Sequence, residues 1–94
     1  MSAIRFIWDE GKASANLAKH GVAFSEARTV FFDPRARLVP DPDHSWDEDR
    51  FVILGLSAAL RLLVVCHCYR EARGQIRIIS ARKATKTESR AYGD

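Results

Sequence analysis

Residues 50–81 read RFVILGLSAALRLLVVCHCYREARGQIRIISA. Residues 50–56 and 62–69 are two strongly apolar runs built from Val, Ile, Leu and Phe, the types that fit a pleated, half-buried surface. The span from Leu56 to Arg61 is short enough to join them as a hairpin. Glu71 to Gly74 marks another turn, and Gln75 to Ala81 is a third strand rich in Ile. Strands joined by such tight turns run antiparallel.

Upstream, Ile4, Phe6 and Trp8 alternate with Arg5 and Ile7 as a short strand. Asp9 is placed to cap a helix that runs to Lys19 or His20 and stops at Gly21, a natural left-handed residue. Ala13 and Leu17 are expected to face the core, with Lys12, Asn16 and His20 on a polar stripe. A second short helix starts near Ser25 and is broken by Asp33-Pro34. Arg37 to Val39 reads as an edge strand, followed by turn chemistry in residues 40–45. Thr85 and Glu88 form a capping-box pattern that opens a short basic helix reaching about Tyr92. The order is β-α-α-β-β-β-β-α. It predicts an α+β domain, an antiparallel twisted sheet with two helices of the N-terminal half packed on one face and a short C-terminal helix. The other face, or its rim, is left for function.

The chain has 94 residues, 47% of them hydrophobic and 29% charged. That size predicts a single domain over residues 1–94 and excludes a two-domain enzyme with a separate cofactor lobe. No apolar run approaches the ~20 residues of a spanning helix, and the N-terminus has no signal-peptide layout. A cytoplasmic protein without a membrane partner is expected. Cys66 and Cys68 suit reduced thiols, because neighbours two apart on a strand make a poor disulfide. His67 would point to the opposite face from both, and a zinc site needs about four ligands, so neither metal nor cofactor is expected.

Net charge is +3, unevenly spread. Residues 33–50 carry three Arg against six acids, and residues 61–94 carry eight Lys or Arg against three acids. A basic C-terminal third suits a polyanion, although a merely solvated surface has the same composition. No Gly-rich phosphate loop, nucleophile elbow or HExxH motif is present. Cleaving RNA needs none of these. A base takes the proton of the attacking 2′-OH, an acid protonates the 5′-oxygen, and cations stabilise the extra charge on phosphate. Arg suits the last role because its planar fork grips two oxygens at once.

The densest cationic cluster is Arg77, Arg82 and Lys83, where the last strand meets the last helix. Each has a structural alternative, with Arg77 pairing to Glu48 or Glu88 and Lys83 simply solvated. Arg50 follows an acidic run and either binds phosphate or neutralises that run. His44 falls in the loop-like stretch, where a histidine is either a proton-transfer candidate near neutral pH or simply exposed. His67, opposite the two cysteines, is expected to reach the open face beside Arg77. Tyr92 and Trp46 are placed to stack on bases or to cover the core.

Phe6-Ile7-Trp8-Asp9, Lys12, Asn16, Lys19-His20-Gly21-Val22, Phe24, Glu26-Ala27, Asp33-Pro34, Asp43-His44, Glu48, Arg50, Ile76 to Ala84, Glu88, Arg90 and Tyr92 together resemble the BrnT toxin family. The resemblance covers nearly the whole chain. It implies the toxin of a type II toxin–antitoxin pair, with a RelE-like fold and ribonuclease activity that halts translation. It also implies neutralisation by a BrnA-like antitoxin with a ribbon-helix-helix domain, operator DNA being bound only through that complex. By the same resemblance Arg50, Arg77, Arg82 and Lys83 contact RNA, free or ribosome-bound. The matched positions also include His20, His44, Glu48 and Tyr92.

The expected protein is therefore a small metal-independent ribonuclease. Arg50, Arg77, Arg82 and Lys83 hold the scissile phosphate, and His44, Glu48, His67 and Tyr92 are candidates for proton transfer or stacking. The rival readings are a non-catalytic basic module that docks the antitoxin or nucleic acid, and a gyrase inhibitor on the same fold.

Overall fold

The structure is a computed structural model that describes residues 4–40, 50–70 and 73–93. Its elements are β1 (Arg5–Ile7), α1 (Glu10–His20), α2 (Phe24–Ala27), a 3-10 segment (Arg28–Phe32), β2 (Arg37–Pro40), β3 (Arg50–Leu56), β4 (Leu62–Arg70), β5 (Gln75–Lys83) and α3 (Lys86–Gly93). This is the order read from the sequence.

The sheet order is β1-β5-β4-β3-β2. Strands β2 to β5 pair antiparallel, the direction that the tight turns read from the sequence between β3, β4 and β5 require. β1 departs from the antiparallel expectation and runs parallel to β5. The element that follows it is the helix α1, so no hairpin turn dictates its direction. It comes to rest on the free edge of the last strand. The ladder between β4 and β5 slips once. Cys66 pairs with Ser80 but His67 pairs with Ile78, so Ile79 is an extra residue, a β-bulge.

One face of the sheet carries the core. Val22, Phe24, Ala27 and Val30 pack on Ile53, Leu63, Val65, Ile78 and Ala81. Gly55 lets the 3-10 segment and the residues after it approach closely. A Cβ there would lie 2.8 Å from the Val30 side chain and 2.9 Å from that of Ala36.

Helix α1 begins where Asp9 accepts a hydrogen bond from the Lys12 backbone N–H at 3.0 Å. It ends at Gly21, whose φ of 69° favours glycine. Its buried face differs from the expected one. Leu17 is 51% exposed, while Asn16 is buried. The Asn16 amide donates to the Val22 and Ala81 carbonyls and accepts from the Ala81 N–H, so one polar side chain ties α1 to the following loop and to β5. Nor does Ser25 cap α2, which starts one residue earlier, after Ala23, without a side-chain cap.

Helix α3 has the capping box the sequence predicts. The Glu88 N–H donates to the Thr85 hydroxyl and the Thr85 N–H to the Glu88 carboxylate. It packs against β3, and Leu54 and Val64 are buried there on the face away from the core.

Candidate functional site

Strand register decides which cations meet. Arg50 pairs with Cys68, Cys68 pairs with Arg77, and Arg77 pairs with Ile7. All four side chains belong to the face away from α1 and α2. They form one row across β3, β4, β5 and β1. Arg50 and Arg77 are two strand spacings apart, about 10 Å between Cα atoms. The next row outward is Arg70, Gln75 and Arg5. Four guanidiniums from four strands thus share one end of the open face.

These cations lack carboxylate partners among the described residues. Neither ion pair there involves Arg5, Arg50, Arg70 or Arg77. The Arg50 Nε is buried with no hydrogen-bond partner among the described residues. The Asp9 carboxyl is held below its ordinary range by the Lys12 backbone N–H, with a smaller contribution from the charge of Arg77.

Arg82 is on the same face, because it pairs with Val64, but it is committed elsewhere. Its two terminal nitrogens donate to the two Glu88 oxygens at 2.8 and 2.9 Å. That fork pulls the Glu88 carboxyl down to about 2. Glu88 therefore belongs to Arg82 and not to Arg77. Lys83 faces the other way, pairing with Leu63 on the core side. There it adds to the field on Glu26, which is lowered first by its hydrogen bond from Arg61.

Two further expectations are corrected. His67 does not reach the face of Arg77. It is 3% exposed in the core, edge-on to Phe31 at 4.8 Å between centroids. Burial lowers its pKa, partly opposed by the contact with the Val65 carbonyl. A neutral, enclosed imidazole there serves packing. Tyr92 donates its hydroxyl to Asp33 at 2.7 Å, and the same carboxylate oxygen accepts from the Leu56 N–H at 2.8 Å. Leu56 and Arg50 are opposite ends of β3, so Tyr92 lies roughly 20 Å from the arginine row. Its hydroxyl pKa is raised by that bond, which makes it a poor acid.

His44, Glu48 and Trp46 lie outside the described residues. His20 closes α1 beside Gly21, a helix-end position. Sequence reasoning missed Arg5 and Arg70 as site residues. The signal was available: Arg70 is two residues beyond Cys68, and Arg5 alternates with the core residue Phe6. Among the described residues, no three His, Cys, Asp or Glu side chains gather as metal ligands. No helix there is long and apolar enough to cross a membrane.

A family model for the ribonuclease toxin, BrnT, of type II toxin–antitoxin systems matches residues 8–88. The chain belongs to the BrnT family. A solved structure, the Brucella abortus ribonuclease toxin BrnT, superposes with a TM-score of 0.69 at 26% identity, covering 89% of this chain and all of that one. No curated protein matches the sequence. The match to the BrnT model takes in Arg50, Arg70, Arg77 and Arg82, whereas Arg5 precedes it.

Proposed function

We propose that this BrnT-family chain acts as a single toxin domain that cleaves RNA without a metal, and that the Arg50–Arg77 row holds the scissile phosphate. The observation that carries the reading is the convergence of guanidiniums from separate strands on one end of the open face, without carboxylate partners among the described residues. Two Arg forks straddling a phosphodiester neutralise the charge that builds up as the 2′-oxygen attacks. Arg5 and Arg70 extend the same field toward the neighbouring phosphates. Arg82 and Lys83 are left out of the clamp, the first serving the α3 junction and the second the core side. His44 and Glu48, in the segment that leads into Arg50, are the candidates for moving the proton.

On this reading the products end in a cyclic phosphate and translation stops as messages are cut. The protein works in the cytoplasm until a BrnA-like ribbon-helix-helix antitoxin binds it, and operator DNA is reached only through that complex. Labelled RNA incubated with the purified protein in EDTA tests the chemistry. Cyclic-phosphate products are expected. Intact RNA, free and on ribosomes, would favour the basic-module reading. The row itself is tested by Arg50→Ala with Arg77→Ala. The folded double variant is expected to lose growth arrest and at least about a hundredfold in cleavage, the scale of losing one pre-organised anion donor. Full activity in that variant defeats the clamp.

A further inference from the structure

Both cysteines of the chain lie on the cationic face, yet the phosphate clamp needs neither. Their surroundings differ. Cys66 is flanked across the sheet by Val52 and Ser80. Cys68 is flanked by Arg50 and Arg77, in the middle of the row, and is half-buried. Arg70 follows in the next row on the same face. A group attached to the Cys68 sulfur would occupy the space that the clamp reserves for phosphate. The same cations that attract RNA also attract any small anion carrying a reactive sulfur.

We propose that Cys68 is a site of reversible S-thiolation by anionic low-molecular-weight disulfides, and that the adduct shuts the arginine row. The inference rests on the phosphate-binding reading above. The Cys68 thiol gives its proton to solvent and its sulfur attacks one sulfur of the disulfide. A new S–S bond forms as the old one breaks. The second half leaves as a thiolate and takes up a proton. Cys68 is oxidised and the departing half reduced, so no other oxidant is needed. A glutathionyl group brings two carboxylates, which pair with Arg50 and Arg77. Cys66 does not readily resolve the adduct. Residues i and i+2 on a strand have Cα atoms about 6.5 Å apart and parallel side chains, at the edge of disulfide geometry. The block therefore lasts until an external thiol removes it.

The test exposes the full chain to oxidised glutathione and, separately, to cystamine, a cationic disulfide of the same chemistry. Peptide mass spectrometry follows the adduct. At low salt, modification of Cys68 by oxidised glutathione is expected to be about tenfold faster than by cystamine. The preference should collapse at high salt and in Arg50→Gln with Arg77→Gln. The glutathionylated protein should bind single-stranded RNA at least about tenfold more weakly, with recovery after dithiothreitol, and RNA binding by Cys68→Ser should be indifferent to the disulfide. Equal rates with the two disulfides, or an adduct mainly on Cys66, overturn the proposal. So does a selective Cys68 adduct that leaves RNA binding unchanged. If the unmodified protein binds no RNA, the phosphate reading fails instead, while the two disulfide rates still judge the steering.

Discussion

Arg77 and Arg82 stand on one face of β5, five residues apart, but at opposite ends of a functional divide. Arg77 joins Arg50 in a row with no carboxylate among the described residues. Arg82 is forked onto Glu88, at the end of the face where α3 is latched through Tyr92 and Asp33. Near neutral pH the two carry the same charge, and their neighbours decide what that charge is for. A cation already neutralised holds the protein together, and on the proposed reading one with no carboxylate among the described residues is available to a phosphate. The divide also separates residues that look equivalent in the sequence.

The comparison is broken most directly at the arginine row. Arg50→Ala with Arg77→Ala should remove a hundredfold or more of cleavage, on the order of 3 kcal/mol of transition-state stabilisation, with the thermal midpoint barely moved. Gly55→Ala should do the reverse. Its added methyl meets Val30 and Ala36, so the denaturation midpoint should fall by about 2 kcal/mol of stability. RNA affinity of the folded fraction should be retained. Arg82→Ala should cost about 1 kcal/mol, because the pair is partly exposed, and should leave the cleavage rate of folded protein within about threefold. A hundredfold loss there would erase the divide. Tyr92→Phe should cost about 1 kcal/mol or less, with cleavage unchanged. A proton donor at that position would instead lose a hundredfold or more.

The smallest effect is a dependence on pH. His67 has its pKa lowered by burial, so the folded protein disfavours its charged form. Its contribution to stability is complete above the ordinary value of 6.5 and drains away as pH falls below it. Glu88, held at about 2 against an ordinary 4.5, adds a second loss as pH drops from 4.5 toward 2. Chemical denaturation across pH 7 to 3 should show both declines. Glu88→Gln should remove the lower one.

Local signals were legible in the sequence because their causes are local. Asp9, Gly21 and the Thr85–Glu88 box act within a few residues of themselves, and each does what its spacing predicts. The element order followed from apolar runs and turns. The site was legible only in part, because it depends on register between strands. By simple alternation Arg77 would share a face with Lys83, six residues on. The extra residue at Ile79 reverses that parity, putting Arg82 beside Arg77's face and Lys83 on the core side. Nothing in Ile78-Ile79-Ser80 announces a bulge. The same blindness affected His67, whose orientation opposite the cysteines was read correctly but whose face was not. It also affected Asn16, whose polarity suggested solvent although its three hydrogen bonds lie inside.

The parallel pairing of β1 with β5 has a consequence for synthesis. Arg5 and Arg77 are joined through neighbouring strands that are about seventy residues apart along the chain. A ribosome making this protein releases Arg5 about seventy residues before Arg77. The partial chain holds Arg5 and Arg50 with no strand to bring them together. On the proposed reading, the phosphate cradle is assembled only once β5 has followed β1, β3 and β4 out of the ribosome.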